Sequence, residues 1–175
     1  EWRRSEQKVL QAQADKANAE LSFLKAQVNP HFLFNTLNNI YSLAVTKSEH
    51  TAVSIMKLSN IMRYVTDDAR EDVVSLIKEI ECMRDYIDLQ RLRLGKNTEV
   101  IFEVSGEVNQ KQVTPLLFMS FIENAFKYGV SNHEPSVIEI RVITDNTTIR
   151  FYTRNKLFET KKTMERTGIG QANAL

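Results

Sequence analysis

The chain has 175 residues, 42% of them hydrophobic and 26% charged, with 23 Lys and Arg against 22 Asp and Glu for a formal net charge of +1. This composition excludes a disordered or fibrous chain and leaves room for one domain or two small ones. Balanced charge argues against a dedicated nucleic-acid binder, and the one cysteine, Cys82, excludes an intramolecular disulfide framework and a multi-cysteine zinc site.

No apolar run approaches the roughly 20 residues that span a bilayer. The first residue is Glu1 rather than Met, which predicts a processed chain or a fragment. Trp2-Arg3-Arg4 fits either a juxtamembrane signature or a solvated helix end. Leu10, Ala14, Ala17, Leu21, Leu24 and Val28 then recur at spacings of 4, 3, 4, 3 and 4, a heptad seam among polar residues that predicts a coiled coil.

Pro30 interrupts that pattern by removing a donor. A helix is predicted from Phe32 to Val45, where apolar residues cover well over half the circumference and His31, Asn35, Asn38 and Ser42 form one polar stripe. Such a helix is expected to be buried on several sides. Val53, Met56, Ile61, Met62 and Val65 mark the next helix, and Leu76, Ile77, Ile80, Met83 and Ile87 another, with Ser75 as its N-cap. Short connections predict antiparallel neighbours.

At Gly95-Lys96-Asn97 the periodicity changes from about 3.6 to about 2. Val100, Phe102 and Val104 alternate as a strand, and Thr114-Pro115 reads as N-cap and first position of a helix running to Gly129. Val137 to Ile143 and Ile149 to Thr153 are strands joined by a hairpin at Asp145-Asn146. The predicted fold class is α+β: helices over 1–95, then strand, helix, strand, strand over 96–175.

Three segments carry chemistry. In Asn29 to Asn38, His31 stands at the helix break with an amide, Asn35, one turn on. A histidine side chain ordinarily titrates near 6.5 and so offers a neutral, nucleophilic nitrogen at pH 7. Asn35 is placed to bond either the ring or an incoming phosphoryl oxygen; no carboxylate follows His31 directly, because Phe32 does. In Pro115 to Gly129, Glu123, Asn124, Lys127 and Tyr128 cluster within little more than a turn. An amide oxygen for Mg²⁺ one turn before a lysine suits a metal–triphosphate, and a plain solvated helix face is the alternative. Gly168-Ile169-Gly170 allows close backbone approach to a phosphate, or serves only as a loop.

Together these segments resemble the atypical sensor histidine kinases of two-component systems. Asn29 to Asn38 is similar to the family's phosphoacceptor box, Ser75-Leu76, Glu79, Tyr86 and Arg93 to its connecting helix, Glu123-Asn124-Ala125 with Lys127 and Gly129 to its N-box, and Gly168 to Gly170 to its G-box. The resemblance runs from about residue 20 to the end. It implies a coiled-coil and helical dimerisation bundle over 1–95 and, over 96–175, a partial α/β sandwich of the gyrase/chaperone/kinase (Bergerat-like) ATP-binding fold. His31 would accept the γ-phosphoryl group of ATP, with Asn35 and Glu123 completing the catalytic set. Asn124 would ligate Mg²⁺. Lys127, Tyr128, Asn155, Gly168 and Gly170 would join Asn124 in binding the nucleotide. The phosphoryl group would pass to an aspartate of a response-regulator receiver domain, and the protein would be a homodimer on the cytoplasmic side of an inner-membrane sensor.

The sequence departs from the family's pattern at three places. Tyr128 stands for a common histidine, Ser120 for a common proline, and Asn155 is the nearest residue to the aspartate expected to meet the adenine amine. An amide accepts a hydrogen bond without a carboxylate's charge assistance. A second reading follows, a dimeric scaffold that binds a response regulator without catalysis. Leu175 comes soon after the glycine motif, which predicts that the ATP-binding domain continues beyond it.

Overall fold

The computed structural model describes residues 30–131 and 133–158. Trp2 to Arg4, the seam from Leu10 to Val28, Asn29, and Gly168 and Gly170 lie outside the described residues. The described residues divide into two compact units between Arg70 and Glu71.

The first unit holds α1 (Pro30–Val45), α2 (His50–Thr66) and a 3₁₀ turn at Asp68–Arg70. Pro30 is the first helical residue, where its missing N–H costs no hydrogen bond. α1 ends in a tight reversal. Ser48 N–H donates to Leu43 O at 2.8 Å and Lys47 N–H to Ala44 O at 3.0 Å, with Lys47 left-handed at φ 53°. The chain so turned packs α2 against α1. Phe32, Thr36 and Ile40 bury one stripe of α1; Ser54, Leu58, Ile61 and Val65 bury the matching stripe of α2. The expectation of burial on several sides of α1 is not met within one chain. A second apolar stripe, Phe34, Leu37, Tyr41 and Val45, is exposed, with Tyr41 at 71%.

The second unit is a helix layer on a three-stranded sheet. Its elements are β1 (Val74–Ser75), α3 (Leu76–Arg91), β2 (Thr98–Ser105), β3 (Gln112–Val113), α4 (Met119–Gly129), β4 (Ser136–Thr144) and β5 (Ile149–Asn155). The change of periodicity near residue 95 is where helix gives way to strand, while by packing α3 lies in the same compact unit as the sheet. Ser75 caps α3 as expected, its hydroxyl accepting from Lys78 N–H at 3.3 Å. β2 pairs in parallel with β4, and β4 antiparallel with β5, so β4 is central. α4 lies in the crossover that a parallel pair requires. A short antiparallel pairing of β1 with β3, absent from the sequence-based expectation, closes the start of α3 onto the segment before α4.

Alternation along the central strand decides the layering. Ile138, Ile140 and Val142 are fully buried beneath the helices. Phe118 stacks on Phe151 with ring centroids 4.5 Å apart, Tyr86 meets Phe126 edge-on at 6.2 Å, and the Arg84 guanidinium lies 5.3 Å from the Phe102 centroid. The opposite sheet face carries charge. Glu139 is buried there because Arg141 at 2.5 Å and Arg154 at 2.9 Å neutralise it, and Arg141 also reaches Glu103 at 3.1 Å. In the β4–β5 turn, the Asp145 carboxylate accepts from the Thr148 hydroxyl, from the Thr147 and Thr148 amides and from Arg150, which holds its carboxyl well below the usual carboxylate range.

Among the described residues no helix is long and apolar enough to cross a membrane. The two faces of β4 differ enough to measure. Ile140→Ala removes a fully buried side chain and is expected to cost about 3 kcal/mol in urea unfolding. Ile143→Ala, at a residue 40% exposed on the other face, is expected to cost about 1 kcal/mol or less.

Candidate functional site

α4 is amphipathic in its own right. Ile122, Ala125, Phe126 and Gly129 are buried, while Asn124 and Lys127 are exposed and Glu123 and Tyr128 are part-buried. At about 100° per residue, Glu123, Asn124 and Lys127 fall on one polar face. The structure therefore brings together these candidates from the helix. Lys127 rests its ammonium 5.0 Å from the centroid of the Tyr128 ring, a cation–π contact that a phosphate would compete with.

The helix does not begin at Pro115, as Thr114-Pro115 suggests in sequence; it begins at Met119. Residues 115–118 form a turn instead, with Leu116 in the left-handed region at φ 58°. The Glu79 carboxylate of α3 meets the backbone at this turn. It is fully buried and accepts from Leu116 N–H at 2.9 Å and from Phe118 N–H at 3.4 Å. Glu79 is visible in sequence as an acidic residue three positions after Leu76 and four before Met83, both core positions of α3. An acid on the buried stripe of an amphipathic helix needs donors, and that was the signal of its role.

Further along α3, Arg93 donates to Gln90 Oε1 at 3.2 Å, and Gln90 Nε2 donates to Tyr86 Oη at 2.8 Å. Burial first, and the charge of Glu123 second, push the Tyr86 phenol far above its ordinary range, so its hydroxyl keeps its proton.

Asn155 ends β5 on the helix-facing side, in register with Ile138. Its side chain lies against Gly129, where a methyl group in place of the glycine hydrogen would meet Asn155 Cβ at 2.7 Å and Ile138 Cγ1 at 3.1 Å. Glycine at 129 is what lets the end of α4 approach the strand bearing this amide. Beyond it, Phe158 N–H donates to Tyr128 O at 3.2 Å, and Lys156 pairs with Glu134 at 2.5 Å. An open pocket of about 610 Å³ at this end of the sheet is lined by Lys96, Glu99, Ser136, Arg154, Asn155 and Lys156 among others. It takes in Asn155 but not Glu123, Asn124, Lys127 or Tyr128.

His31 belongs to the other compact unit and is exposed on α1. Asn35 Nδ2 lies 3.1 Å from both ring nitrogens and donates to whichever is unprotonated. Of the two partners open to Asn35 in sequence, the ring is the one it bonds here. Among the described residues no cluster of three or more His, Cys, Asp or Glu is placed to hold a metal ion. The oxygens of Asn124 and Glu123 suit a hard cation that takes its remaining ligands from phosphates and water, as Mg²⁺ does.

Residues 19–98 match the histidine kinase family model. The chain is 32% identical over 117 residues to the sensor protein LytS of Staphylococcus saprophyticus, covering 67% of this chain and 20% of that protein. It is 28% identical over 133 residues to the sensor protein LytS of Bacillus subtilis, covering 75% and 22%, and 30% identical over 132 residues to the sensor histidine kinase/phosphatase LytS of Staphylococcus aureus, covering 75% and 23%. The chain spans about a fifth of the length of these curated relatives. The similarities support a sensor histidine kinase.

Gly129→Ala tests the junction between α4 and β5. The added methyl is expected to displace Asn155 and to lower stability by about 2 kcal/mol in thermal unfolding, whatever the exposed face of α4 binds.

Proposed function

We propose that this chain is the phosphoacceptor and nucleotide-binding part of a two-component sensor histidine kinase, and that His31 takes the γ-phosphoryl group of ATP. The observation that carries this is His31 itself, exposed on α1 with Asn35 bonded to its ring one turn on. The unprotonated ring nitrogen attacks the γ-phosphorus, and a nitrogen–phosphorus bond forms. The bond to the β,γ-bridging oxygen breaks, and ADP leaves with its electron pair. Asn35 releases that nitrogen as the phosphorus approaches. The reaction requires His31 to meet a nucleotide held by α4, where Glu123 is the carboxylate available to the proton that the ring gives up.

Residues 96–175 form the ATP-binding domain of the gyrase/chaperone/kinase fold, and 1–95 the coiled-coil and phosphotransfer helices. Asn124 holds Mg²⁺, whose charge offsets that of the triphosphate. Lys127 leaves the Tyr128 ring for the phosphates, and Gly168 and Gly170 lie beside them. Asn155 Nδ2 is engaged by Lys156 O at 3.1 Å, which leaves Oδ1 to accept from the adenine amine. The phosphoramidate then passes its phosphoryl group to an aspartate of a receiver domain. The protein works on the cytoplasmic side of a membrane-anchored sensor.

The full-length protein with Mg²⁺ and γ-labelled ATP is expected to gain an acid-labile, alkali-stable phosphate, and His31→Gln to reduce it to background. Equal labelling of the variant would remove His31 as the acceptor. A parent that binds no nucleotide at millimolar ATP would instead favour the non-catalytic scaffold, for which Asn155 in place of an aspartate is the one supporting feature.

The exposed stripe of Phe34, Leu37, Tyr41 and Val45, at spacings of 3, 4 and 4, suits a second copy of α1. Tyr41→Glu places a charge in its middle and is expected to weaken the homodimer at least about tenfold by sedimentation equilibrium.

A further inference from the structure

We infer that Glu79 of α3 is a positioning residue for the nucleotide site, because its carboxylate fixes where α4 begins. Its functional meaning rests on the nucleotide site proposed above. Three observations converge on the segment before α4. The Glu79 carboxylate, with no exposed surface, takes the amide protons of Leu116 and Phe118 at 2.9 and 3.4 Å. The backbone between them is held in a left-handed turn at Leu116, a conformation that a leucine keeps only when its surroundings impose it. Just upstream, Val74 and Ser75 pair with Val113 and Gln112, and Leu76 N–H donates to Lys111 O at 2.8 Å. β1 and the first turn of α3 together therefore hold residues 111–118 from both ends.

Phe118 is the N-cap residue of α4, and Glu123 and Asn124 follow within two turns. No side chain of α4's own lead-in caps the helix, and the carboxylate from α3 takes the amide of the N-cap residue Phe118. A helix rises about 1.5 Å and turns about 100° per residue. If residues 115–118 joined the helix, the lead-in from β3 would shorten and pull on the start of α4, displacing the polar face that presents Asn124 and Lys127 relative to Asn155 on β5. Glu79 touches no substrate; it acts through α4.

Glu79→Gln, Glu79→Asp and Ile80→Val are compared in the full-length protein, each with its melting temperature. Glu79→Gln keeps the shape but loses the charge and one acceptor, and Glu79→Asp keeps the charge but falls one methylene short. Both are expected to weaken Mg-ATP binding about tenfold through the displaced face of α4. Transfer of phosphate from pre-phosphorylated His31 to the receiver domain should stay unchanged, because that step does not use α4. Ile80→Val lies on the same helix and is expected to lower the melting temperature without altering nucleotide affinity. If the folded Glu79 variants bind Mg-ATP like the parent while Asn124→Ala does not, the positioning role is wrong and the nucleotide site stands. If Ile80→Val loses affinity in proportion to its stability, the effect is general loosening and the role is likewise overturned. A parent that binds no Mg-ATP overturns the site and the positioning role together.

Discussion

The second unit depends on one buried carboxylate. Glu79 is surrounded by the apolar contacts of α3, where an uncompensated charge would cost several kcal/mol. It accepts from two amides in a segment 37 to 39 residues further along the chain. Each hydrogen bond to a charged group contributes about 1.5–3 kcal/mol, and breaking them would strand both the carboxylate and the amides. The helix packing of α3 and the starting point of α4 are consequently one condition. Neither element can slide without breaking both of these bonds.

What the carboxylate fixes at one end of α4, glycine and strand register fix at the other. Gly129 closes against Ile138 and Asn155, which are partners across β4 and β5. Because β4 turns Ile138, Ile140 and Val142 to one face, its register cannot slip by one without carrying them to the face where Glu139 meets its arginines. The polar face of α4 is therefore held between two anchors of different chemistry, hydrogen bonding at its start and close packing at its end.

Much of this was legible from periodicity. The helices at His50–Thr66 and Leu76–Arg91, the Ser75 cap and the strands on either side of Asp145 follow from apolar spacing and short-range hydrogen bonding, which a sequence displays directly. Non-local pairing was not legible in the same way. Thr114-Pro115 has the local signature of a helix start, but Leu116 is left-handed and its amide bonds a side chain on another helix, and the helix starts at Met119. The β1–β3 pairing spans two residues on each strand and leaves no periodic trace. For α1, the breadth of apolar surface was plain, yet one chain covers only the stripe that α2 reaches. In the candidate site, Asn124 and Lys127 share a helix face because their spacing dictates it, whereas the closeness of Asn155 to Gly129 depends on the fold of β5 back along β4.

The placement of Glu79 also bears on how the two units are joined. The chain leaves the first unit at Arg70 and becomes β1 at Val74, so only Glu71, Asp72 and Val73 lie between. Within the next six residues it pairs with β3, caps α3 through Ser75 and presents the carboxylate that holds the lead-in of α4. The segment by which the chain enters the second unit is thus also the one whose carboxylate meets the lead-in of α4.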